Sequence, residues 1–271
     1  MTTLITGATD GLGRGLAQSL AADGADLILH GRDRARLDAT ADAIAAGGAP
    51  RPRTVLADFA ELDQVRRLAA EVRDTTDRLD VLVNNAGIGA GEPDGRERRV
   101  SADGHELRFA VNHLAGFLLT LELLPLLRQS APARIVHVAS AGQRAVDFDD
   151  VQLERGYDGA RAYWQSKLAQ ISTGFELAGR LPADQVTVNS LHPATFMPTK
   201  IVLSEVASSI DTLETGVNAV RRLVLAPELA GVTGRYYDRT DEARADSQAY
   251  DPAARRALWE LSLKLTGARD V

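Results

Sequence analysis

Short runs of apolar, often β-branched residues alternate along this chain with longer stretches in which apolar residues recur at the helical period. The short runs predict strands at residues 3–6, 26–30, 53–57, 80–84, 134–139, 186–191 and 234–237. The longer stretches predict helices near residues 12–23, 34–46, 62–75, 103–129, 160–180, 213–226 and 252–265. This alternation indicates a parallel sheet with helices on both faces. We expect a single α/β domain over residues 1–271, with a doubly wound sheet of about seven strands.

The composition and charge of the chain narrow the classes of protein to which it can belong. Hydrophobic residues make up 45% and charged residues 25%, which is typical of a globular protein. The formal net charge of −6 argues against nucleic acid or an anionic membrane as the main partner, since both bind basic surfaces. Because the chain has no cysteine, it has no disulfide, thiolate metal ligand or cysteine nucleophile, and we expect no metal site.

The start of the chain and its most apolar stretch bear on location. The first predicted strand begins almost at once, so no secretory signal is visible. Residues 114–127 are the most apolar stretch, but Glu122 and Pro125 interrupt them and the run is short for a membrane span. We interpret this stretch as a buried helix and expect a cytoplasmic protein without a membrane span.

Three glycines, Gly7, Gly11 and Gly13, lie between the first predicted strand and the first predicted helix. Glycines in such a turn allow a pyrophosphate to approach the backbone amides at the helix N-terminus. The spacing Gly-x-x-x-Gly-x-Gly differs from the Gly-x-Gly-x-x-Gly of other dinucleotide folds, and a plain strand-to-helix turn is the alternative. The turn therefore indicates a dinucleotide site, provided that other parts of the chain support it.

The end of the second predicted strand, His30-Gly31-Arg32-Asp33, bears on which dinucleotide binds. An NAD site places a carboxylate here to bond the ribose hydroxyls. Gly31 takes that position, and Arg32 offers a bidentate cation for a 2′-phosphate. We therefore predict NADP rather than NAD, with Arg14 as a further candidate for the same phosphate. In the alternative interpretation Arg32 is a solvated surface residue, and in either case we expect Asp33 to cap the next helix.

Two polar segments close the third and fourth predicted strands. Asp58 is placed either to accept the adenine amino group or to cap the helix that follows. In Asn84-Asn85-Ala86-Gly87 an asparagine amide can tie neighbouring strands together, and nearby backbone groups are expected to contact the ribose.

Tyr163 and Lys167 are four residues apart in the predicted helix 160–180, so their side chains share one face. A nearby ammonium favours the phenolate and lowers the pKa of a tyrosine. A tyrosine tuned in this way can exchange a proton with an alcohol or a carbonyl near neutral pH. With the glycine-rich turn, the pair predicts proton transfer coupled to a bound dinucleotide. Taken alone, a buried tyrosine is more often a core residue.

In this order and at these distances, the motifs resemble the short-chain dehydrogenase/reductase family over residues 2–199. The matching pieces are the turn at residues 6–13, Asp58, residues 84–87, Asn112, Ser140, Tyr163 with Lys167, and His192-Pro193-Ala194. Residues 111–120 and the wide gap from Ser140 to Tyr163 resemble the retinol-dehydrogenase-like branch. The resemblance implies a Rossmann fold, and an apolar aldehyde, ketone or alcohol bound above the carboxyl ends of the strands.

The same resemblance implies roles for four residues. Tyr163 is the general acid in reduction and the base in oxidation, while Lys167 lowers its pKa and bonds the nicotinamide ribose. Ser140 donates a hydrogen bond to the substrate oxygen, and Asn112 holds a water that links Lys167 to solvent. The alternatives are an ordinary turn residue for Ser140 and a helix-kinking polar group for Asn112. The residues expected to contact NADP(H), or second to it NAD(H), are Gly7, Thr9, Asp10, Gly11, Leu12, Gly13, Arg32, Asp58, Phe59, Asn85, Ala86, Gly87, Tyr163, Lys167, Pro193, Phe196 and Thr199.

The chain departs from the family pattern after the sixth strand. Ala194 stands where the family has a glycine, and alanine does not take a positive φ without strain, so the backbone is expected to differ there. For the contact to the nicotinamide amide we favour Thr199 over Thr195, with backbone groups near Phe196 sharing it. Residues 196–211 should form a lid, and their apolar side chains indicate a hydrophobic substrate.

Two other functions stay open at this stage. One is a catalytically silent NADP-binding sensor that signals through a partner, against which the presence of both Tyr163 and Lys167 argues. The other is a reductase of an activated C=C bond on the same fold, which usually has a longer gap between the tyrosine and the lysine. A homodimer through the helices 103–129 and 160–180 is one option.

Four further ring side chains near these motifs receive no chemical role from the sequence. Trp164 follows the tyrosine and is expected to pack in the core or at a subunit interface. His30, His137 and His192 lack a partner cluster, so we assign them no chemistry.

Overall fold

One eight-stranded sheet runs through the computed structural model, which describes residues 1–91, 95–198 and 210–271. The strand order is β3-β2-β1-β4-β5-β6-β7-β8; the pair β7–β8 is antiparallel and the other pairs are parallel. The strands are β1 (Thr2–Ile5), β2 (Asp26–Gly31), β3 (Arg53–Leu56), β4 (Val81–Asn84), β5 (Ala133–Val138), β6 (Val186–His192), β7 (Arg235–Asp238) and β8 (Asp241–Ala243). The predicted doubly wound α/β fold is confirmed, with one strand more than expected.

The helices lie close to their predicted places. They are α1 (Gly11–Ala22), α2 (Arg34–Ala46), α3 (Leu62–Thr75), α4 (Leu107–Gln129), α5 (Gly159–Arg180), α6 (Leu213–Leu225) and α7 (Pro252–Thr266). The largest difference is at α4, which begins at Leu107 rather than at residue 103. A turn precedes it instead, in which the amide of Ser101 donates to the carbonyl of His105 at 2.7 Å and Gly104 takes a φ of 83°.

The helices form two layers, one on each face of the sheet. Alternate residues of a strand point to opposite faces: Leu82 of β4 packs in the layer of α3 and α4, while Val81 and Val83 pack in the layer of α1 and α6. Because both faces are covered, β4 is apolar at three successive positions, as buried parallel strands are. Every described strand belongs to this sheet, and the single-domain organisation of residues 1–271 stays a prediction.

The α4 helix is long and apolar enough to cross a membrane by length and composition alone. However, 83% of its most apolar window is buried inside the fold. This agrees with the interpretation of residues 114–127 as a core helix, since the core helix of a globular protein passes the same test of length and hydropathy. A π turn at Ala110–Leu114 interrupts the α-helical pattern near its start.

The last helix, α7, packs across the outer face of α4 and α5. Trp259 of α7 meets Phe117 of α4 edge-to-face, with ring centroids 5.0 Å apart, and Arg180 of α5 lies 4.4 Å from the Trp259 ring. His113 Nε2 and the Ser262 hydroxyl are hydrogen-bonded at 2.8 Å. Residues of α7 thus occupy a face on which the sequence suggested that a second copy could dock.

Candidate active site

The residues singled out by the sequence gather where the parallel strands end at their carboxyl edge. The glycine-rich turn follows β1, Asn85 follows β4, Ser140 follows β5 and Pro193 follows β6. In an open α/β sheet this edge is the place where ligands bind, at the point where the strand order reverses. Here the order reverses between β1 and β4, and the two segments that follow these strands lie next to each other.

Tyr163 and Lys167 lie on the same face of α5, as their spacing predicted. The Lys167 ammonium is 5.9 Å from the centroid of the Tyr163 ring. It is 5% exposed and donates to the carbonyl of Val138 at 2.9 Å, with Gln170 Oε1 at 3.5 Å. Within the described ranges it has no carboxylate partner, and burial lowers the pKa of Lys167 to about 8. A cation is therefore held against the phenol ring without being neutralised by an acid.

Asn112 lies in the π turn of α4, and π turns often occur at functional sites. Its Oδ1 accepts from the Ile88 amide at 2.8 Å, and its Nδ2 donates to the Ile88 carbonyl at 3.1 Å and to the Ser166 hydroxyl at 3.0 Å. Both amide hydrogens are used, so a water could be bound only through the remaining lone pair of Oδ1.

Gly87 separates Asn112 from Lys167. A Cβ at Gly87 would lie 3.1 Å from Asn112 Oδ1 and 3.5 Å from Lys167 Nζ. Glycine at this position therefore leaves the space beside both polar groups free of a side chain.

Ser140 is positioned by the loop that follows β5. Its Oγ accepts from the amide of Gly142 at 3.0 Å, and its carbonyl accepts from the Tyr236 hydroxyl at 3.0 Å. Because Oγ acts as an acceptor in this turn, its own O–H is left to donate to a substrate oxygen. The interpretation of Ser140 as a turn residue is confirmed, and its predicted hydrogen bond to a substrate oxygen stays a prediction.

The glycine-rich turn packs tightly against the segment after β4. Gly7 has a φ of 66°, and a Cβ there would lie 2.8 Å from Ala86 Cα; a Cβ at Gly13 would lie 2.3 Å from the Gly7 carbonyl oxygen. The Asn85 amide donates to the carbonyls of Thr6 at 2.8 Å and Gly7 at 3.1 Å. The tie between strands predicted for an asparagine here is thus confirmed. Two of the glycines are required by the packing of the turn itself.

The N-terminus of α1 has the form of an anion site. Asp10 caps the helix by accepting from the Gly11 amide at 2.7 Å, and the first intrahelical bond runs from the Arg14 amide to the Asp10 carbonyl. The amides of Leu12 and Gly13 precede that bond, so the helix does not use them. Amides of this kind bind phosphate groups. The turn, Gly87 and these amides therefore fit a dinucleotide.

At the end of β2 the structure gives a steric reason for the absence of an acid. A Cβ at Gly31 would lie 2.4 Å from Thr9 Cγ2, so the Thr9 methyl occupies the space of a side chain. Asp33 caps α2 by accepting from the Arg36 amide at 3.1 Å, as predicted, and Arg32 is exposed. Arg36, which the sequence analysis did not single out, forms an ion pair with Asp10 at 2.7 Å.

His30 supports the turn from below, a role that the sequence did not suggest. Its Nδ1 accepts from the Gly7 amide at 3.3 Å, and its Nε2 donates to the Ala57 carbonyl at 3.0 Å. The ring stacks on Phe59 with centroids 4.3 Å apart, and burial lowers the pKa of His30 to about 4. Because the Phe59 side chain is buried under His30, its predicted contact with the cofactor would have to come from its backbone. The sequence signal for this role was that His30 is a polar residue within the otherwise apolar strand β2.

Asp58 does not cap α3. Its Oδ1 accepts from the Ala60 amide at 2.9 Å, whereas the N-cap position belongs to Glu61. The Leu62 amide is instead bound by Asp103, at 3.0 Å. The capping alternative for Asp58 is therefore wrong, because the turn inserts three residues before the helix begins.

A buried cluster that the sequence did not reveal joins the segment after β4 to the start of α5. Arg108 donates to the carbonyls of Gly89 at 2.8 Å and Ala90 at 2.6 Å, and to the Tyr157 hydroxyl at 2.5 Å. The Tyr157 hydroxyl in turn donates to Glu106 at 3.1 Å. Burial and the Glu106 carboxylate raise the pKa of Tyr157, so its hydroxyl stays protonated. The cluster fixes the entry to the helix that carries Tyr163.

After β6 the strained backbone position is Phe196 and not Ala194, where the sequence predicted a difference. Pro193 and Ala194 are buried, and the positive φ, 46°, is found at Phe196 rather than at Ala194. The Phe196 carbonyl accepts from the Ile210 amide at 3.1 Å, and the Thr195 amide donates to Asp211 at 2.7 Å. Thr199 and most of the predicted lid, residues 199–209, lie outside the described residues.

Trp164 does not lie in the core of the described chain. Its side chain is 39% exposed and its indole lies on Gly142, in the loop that follows β5.

In the part of the chain that the structure describes, no group of three or more metal-ligating side chains is found.

Comparison with known proteins agrees with this arrangement. The family model for short chain dehydrogenases matches residues 1–208. Retinol dehydrogenase 14 of Mus musculus is 37% identical, over 98% of this chain and 86% of the mouse protein. A crystal structure of an uncharacterised Mycobacterium paratuberculosis protein has a TM-score of 0.80 and 29% identity, over 99% of this chain and 94% of that one. The Pseudomonas aeruginosa RhlG/NADP active-site complex has a TM-score of 0.69 and 28% identity, over 88% and 93%. The chain therefore belongs to the short-chain dehydrogenase family and, within it, to the retinol-dehydrogenase-like branch.

Proposed function

We propose that this NAD(P)-dependent oxidoreductase uses NADP(H), and that Tyr163 acts as the general acid and base on an apolar carbonyl or alcohol. The observation that carries the proposal is the buried Lys167 ammonium, 5.9 Å from the Tyr163 ring and without a carboxylate partner among the described residues. A cation in such a place favours the phenolate and so eases proton transfer from the phenol.

In the direction of reduction, a bound NADPH would supply the hydride that the carbonyl carbon accepts. Tyr163 gives its phenolic proton to the carbonyl oxygen, so that a C–H and an O–H bond form and an alcohol results. Ser140 donates a hydrogen bond to that oxygen while negative charge develops on it, which stabilises the transition state. Lys167 stabilises the phenolate that remains, and Asn112 holds the segment at Ile88 beside it. Oxidation of the alcohol runs through the same groups in reverse.

The preference for NADP rests on the end of β2. Gly31 offers no carboxylate, the Thr9 methyl fills the space that one would need, and Arg32 is exposed beside it. Arg36 lies on the same side, held by Asp10. A guanidinium binds a 2′-phosphate in a bidentate manner, whereas NAD has no phosphate there. The solved RhlG complex with NADP supports the same choice.

The substrate is proposed to be a small apolar molecule, in line with the retinol named for the mouse relative. We further propose a cytoplasmic location and keep a homodimer as a proposal. Because α7 contacts α4 at Phe117 and α5 at Arg180, such a dimer would use the parts of these helices that α7 leaves exposed. The C=C reductase and the silent sensor are the competing functions; product analysis separates the first, and absence of turnover with intact cofactor binding identifies the second.

The test is a titration of NADPH and NADH against the wild type, Arg32→Ala and the control Arg256→Ala, in which an exposed arginine of α7 is removed. Loss of a charge-assisted bond should weaken NADPH binding by roughly 10- to 100-fold in Arg32→Ala and leave NADH binding almost unchanged. Equal affinity of the wild type for both cofactors would contradict the NADP assignment. Tyr163→Phe should then lower kcat by at least roughly 100-fold with carbonyl substrates; a rate within a few-fold of wild type would remove Tyr163 from its role.

A further inference from the structure

Three aromatic side chains of the described chain are exposed, and two of them, Trp164 and Phe196, belong to segments of the proposed active site. They are Phe148 at 41%, Trp164 at 39% and Phe196 at 44%, and the other aromatic residues are buried or half-buried. Phe148 follows β5, Trp164 lies in the first turns of α5 and Phe196 follows β6. An exposed aromatic side chain beside a reactive site can form part of a surface that binds an apolar ligand.

Trp164 has a defined position relative to the proposed reacting groups. A Cβ added to Gly142 would lie 2.7 Å from both Cδ1 and Nε1 of Trp164 and 3.5 Å from Ser140 Oγ. Since both groups flank that one point, the edge of the indole lies within about 6 Å of the hydroxyl that is aimed at the substrate oxygen. Gly142 therefore lies between the Trp164 indole and Ser140. A side chain at this position would fill the space between these two groups.

The indole also has an unused donor. Within residues 1–91, 95–198 and 210–271, Trp164 Nε1 makes no hydrogen bond, although a buried or ordered indole N–H is normally bonded. The ring thus presents a flat apolar face together with one N–H at its edge, next to Tyr163 in sequence. Such a surface binds a planar π-system by stacking and can at the same time donate to a polar atom at the rim of the ligand.

We propose that Trp164 forms one wall of the substrate site and makes the enzyme select flat, conjugated or aryl carbonyl compounds over saturated ones of the same size. This inference rests on the proposed function, because it describes the substrate of the same reaction. Trp164 is a specificity-determining residue in it, and proton transfer remains with Tyr163. Phe196 follows β6 at the carboxyl edge of the sheet and is also exposed.

The test compares acetophenone with cyclohexyl methyl ketone, which have the same number of carbon atoms but a flat and a puckered ring. The quantity measured is kcat/KM for each ketone with NADPH, in the wild type, Trp164→Ala, Trp164→Phe and Gly142→Ala. For each protein, kcat/KM for acetophenone is divided by kcat/KM for cyclohexyl methyl ketone. Comparing this ratio between a variant and the wild type removes the difference in intrinsic reactivity of the two ketones. Leu225→Ala, at a residue on α6 that is 37% exposed, is the control variant.

Loss of the stacking surface should reduce the preference for acetophenone by roughly two- to tenfold in Trp164→Ala, through KM more than through kcat. Trp164→Phe should keep part of the preference, because a smaller ring remains. Gly142→Ala should reduce it as well, since its methyl group displaces the indole. Leu225→Ala should leave it unchanged. A ratio that is the same in Trp164→Ala and wild type would overturn the inference.

Fluorescence gives an independent reading that does not need turnover. The chain has two tryptophans, and Trp259 is 1% exposed. Acetophenone added to the NADP⁺ complex, which has no hydride to give, should quench the emission of the wild type with saturation and leave that of Trp164→Phe almost unchanged. Saturable quenching that persists in Trp164→Phe would also overturn the inference. If the wild type reduces neither ketone nor any other carbonyl, the proposed function itself fails, which is distinct from a proposed enzyme that works without using Trp164.

Discussion

Replacement of Lys167 by methionine should make the folded protein more stable near neutral pH while it removes the proposed chemistry. The Lys167 side chain is 5% exposed, and burial lowers its pKa from 10.5 to about 8. Each pKa unit corresponds to about 1.4 kcal/mol, so holding the charged form inside the fold costs about 3 kcal/mol. Methionine has a similar length and no charge to desolvate.

Part of this gain is lost again. The Val138 carbonyl accepts from Lys167 at 2.9 Å, and methionine would leave it without that donor at a cost of roughly 1–3 kcal/mol. The expected net stabilisation near pH 7 is therefore small, on the order of 1 kcal/mol. A sharper test is how the difference in unfolding free energy between Lys167→Met and the wild type depends on pH. Neutral lysine can still donate to the Val138 carbonyl, so the loss of that bond contributes the same amount at each pH.

The direction in which this difference changes with pH follows from the lowered pKa of Lys167. Below about pH 8 the lysine is charged in both the folded and the unfolded state, so the full cost is present. Between pH 8 and 10.5 the unfolded chain binds the proton more tightly than the folded one, so the stability of the wild type rises with pH. The advantage of Lys167→Met, on the order of 1 kcal/mol at pH 7, should therefore shrink by up to about 1.4 kcal/mol per pH unit in this window and reverse at about pH 9.

The assay is urea unfolding of the cofactor-free protein at about pH 7, 9 and 10 and at constant salt, with the difference in unfolding free energy taken at each pH. Lys264→Met, which removes an exposed lysine of α7, is the matched control and should show no such trend. Since the chain has only three lysines, NMR of labelled lysine can follow the titration of Lys167 directly. A difference between Lys167→Met and wild type that is constant from pH 7 to 10 would refute the reasoning.

Three further predictions concern the cofactor turn, acid stability and the entry to α5. Gly31→Asp alone should weaken binding of both cofactors, because its Cβ would lie 2.4 Å from the Thr9 methyl, and only Gly31→Asp with Thr9→Gly should favour NADH in a binding titration; a single variant that already prefers NADH would contradict this. Burial lowers the pKa of His137 to about 4, so neutral His137 favours folding above pH 6.5 and this contribution is lost as the pH falls towards 4. In urea unfolding, His137→Gln should therefore reduce the slope of stability against pH in this window by up to about 1.4 kcal/mol per pH unit, and an unchanged slope would be the contrary result. Tyr157→Phe should lower the unfolding free energy by roughly 1–3 kcal/mol, because it leaves buried Glu106 and Arg108 short of a partner, and a variant as stable as wild type would show that the cluster holds without the hydroxyl.

The fold was predictable because its signals are local. Most strands of the parallel part are apolar runs between helices of regular period, and the parallel arrangement follows from that alternation. The eighth strand, Asp241–Ala243, was missed because it has three residues, two of them acidic, and forms only by pairing with β7. Whether these residues form a strand depends on the neighbouring strand β7 and not on their own sequence.

The site was predictable where it depends on spacing along one helix, and not where it depends on contacts between distant segments. The interval of four between Tyr163 and Lys167 fixed their common face, and the distance of 5.9 Å agrees with it. No pattern in the sequence shows that Thr9 fills the space above Gly31, or that His30 bonds to Gly7 across 23 positions. Of the two places expected for Trp164, the core is wrong because the residue is 39% exposed, and a subunit interface stays a prediction.

In the proposed mechanism, the interior behind Tyr163 explains why the buried Lys167 cation needs no second charged group. His137 lies near Lys167, and both burial and the Lys167 charge lower its pKa to about 4. Asn84 bonds to His137 at 3.3 Å, and Gln170 bonds to the Asn84 carbonyl at 3.4 Å, so this interior is polar but uncharged at neutral pH. Between about pH 4 and pH 8 the charge therefore stays on Lys167, next to the phenol ring. A carboxylate at any of these positions would pair with the ammonium and reduce its effect on Tyr163, so the neutral polar residues around Lys167 are as much a part of the proposed chemistry as the lysine itself.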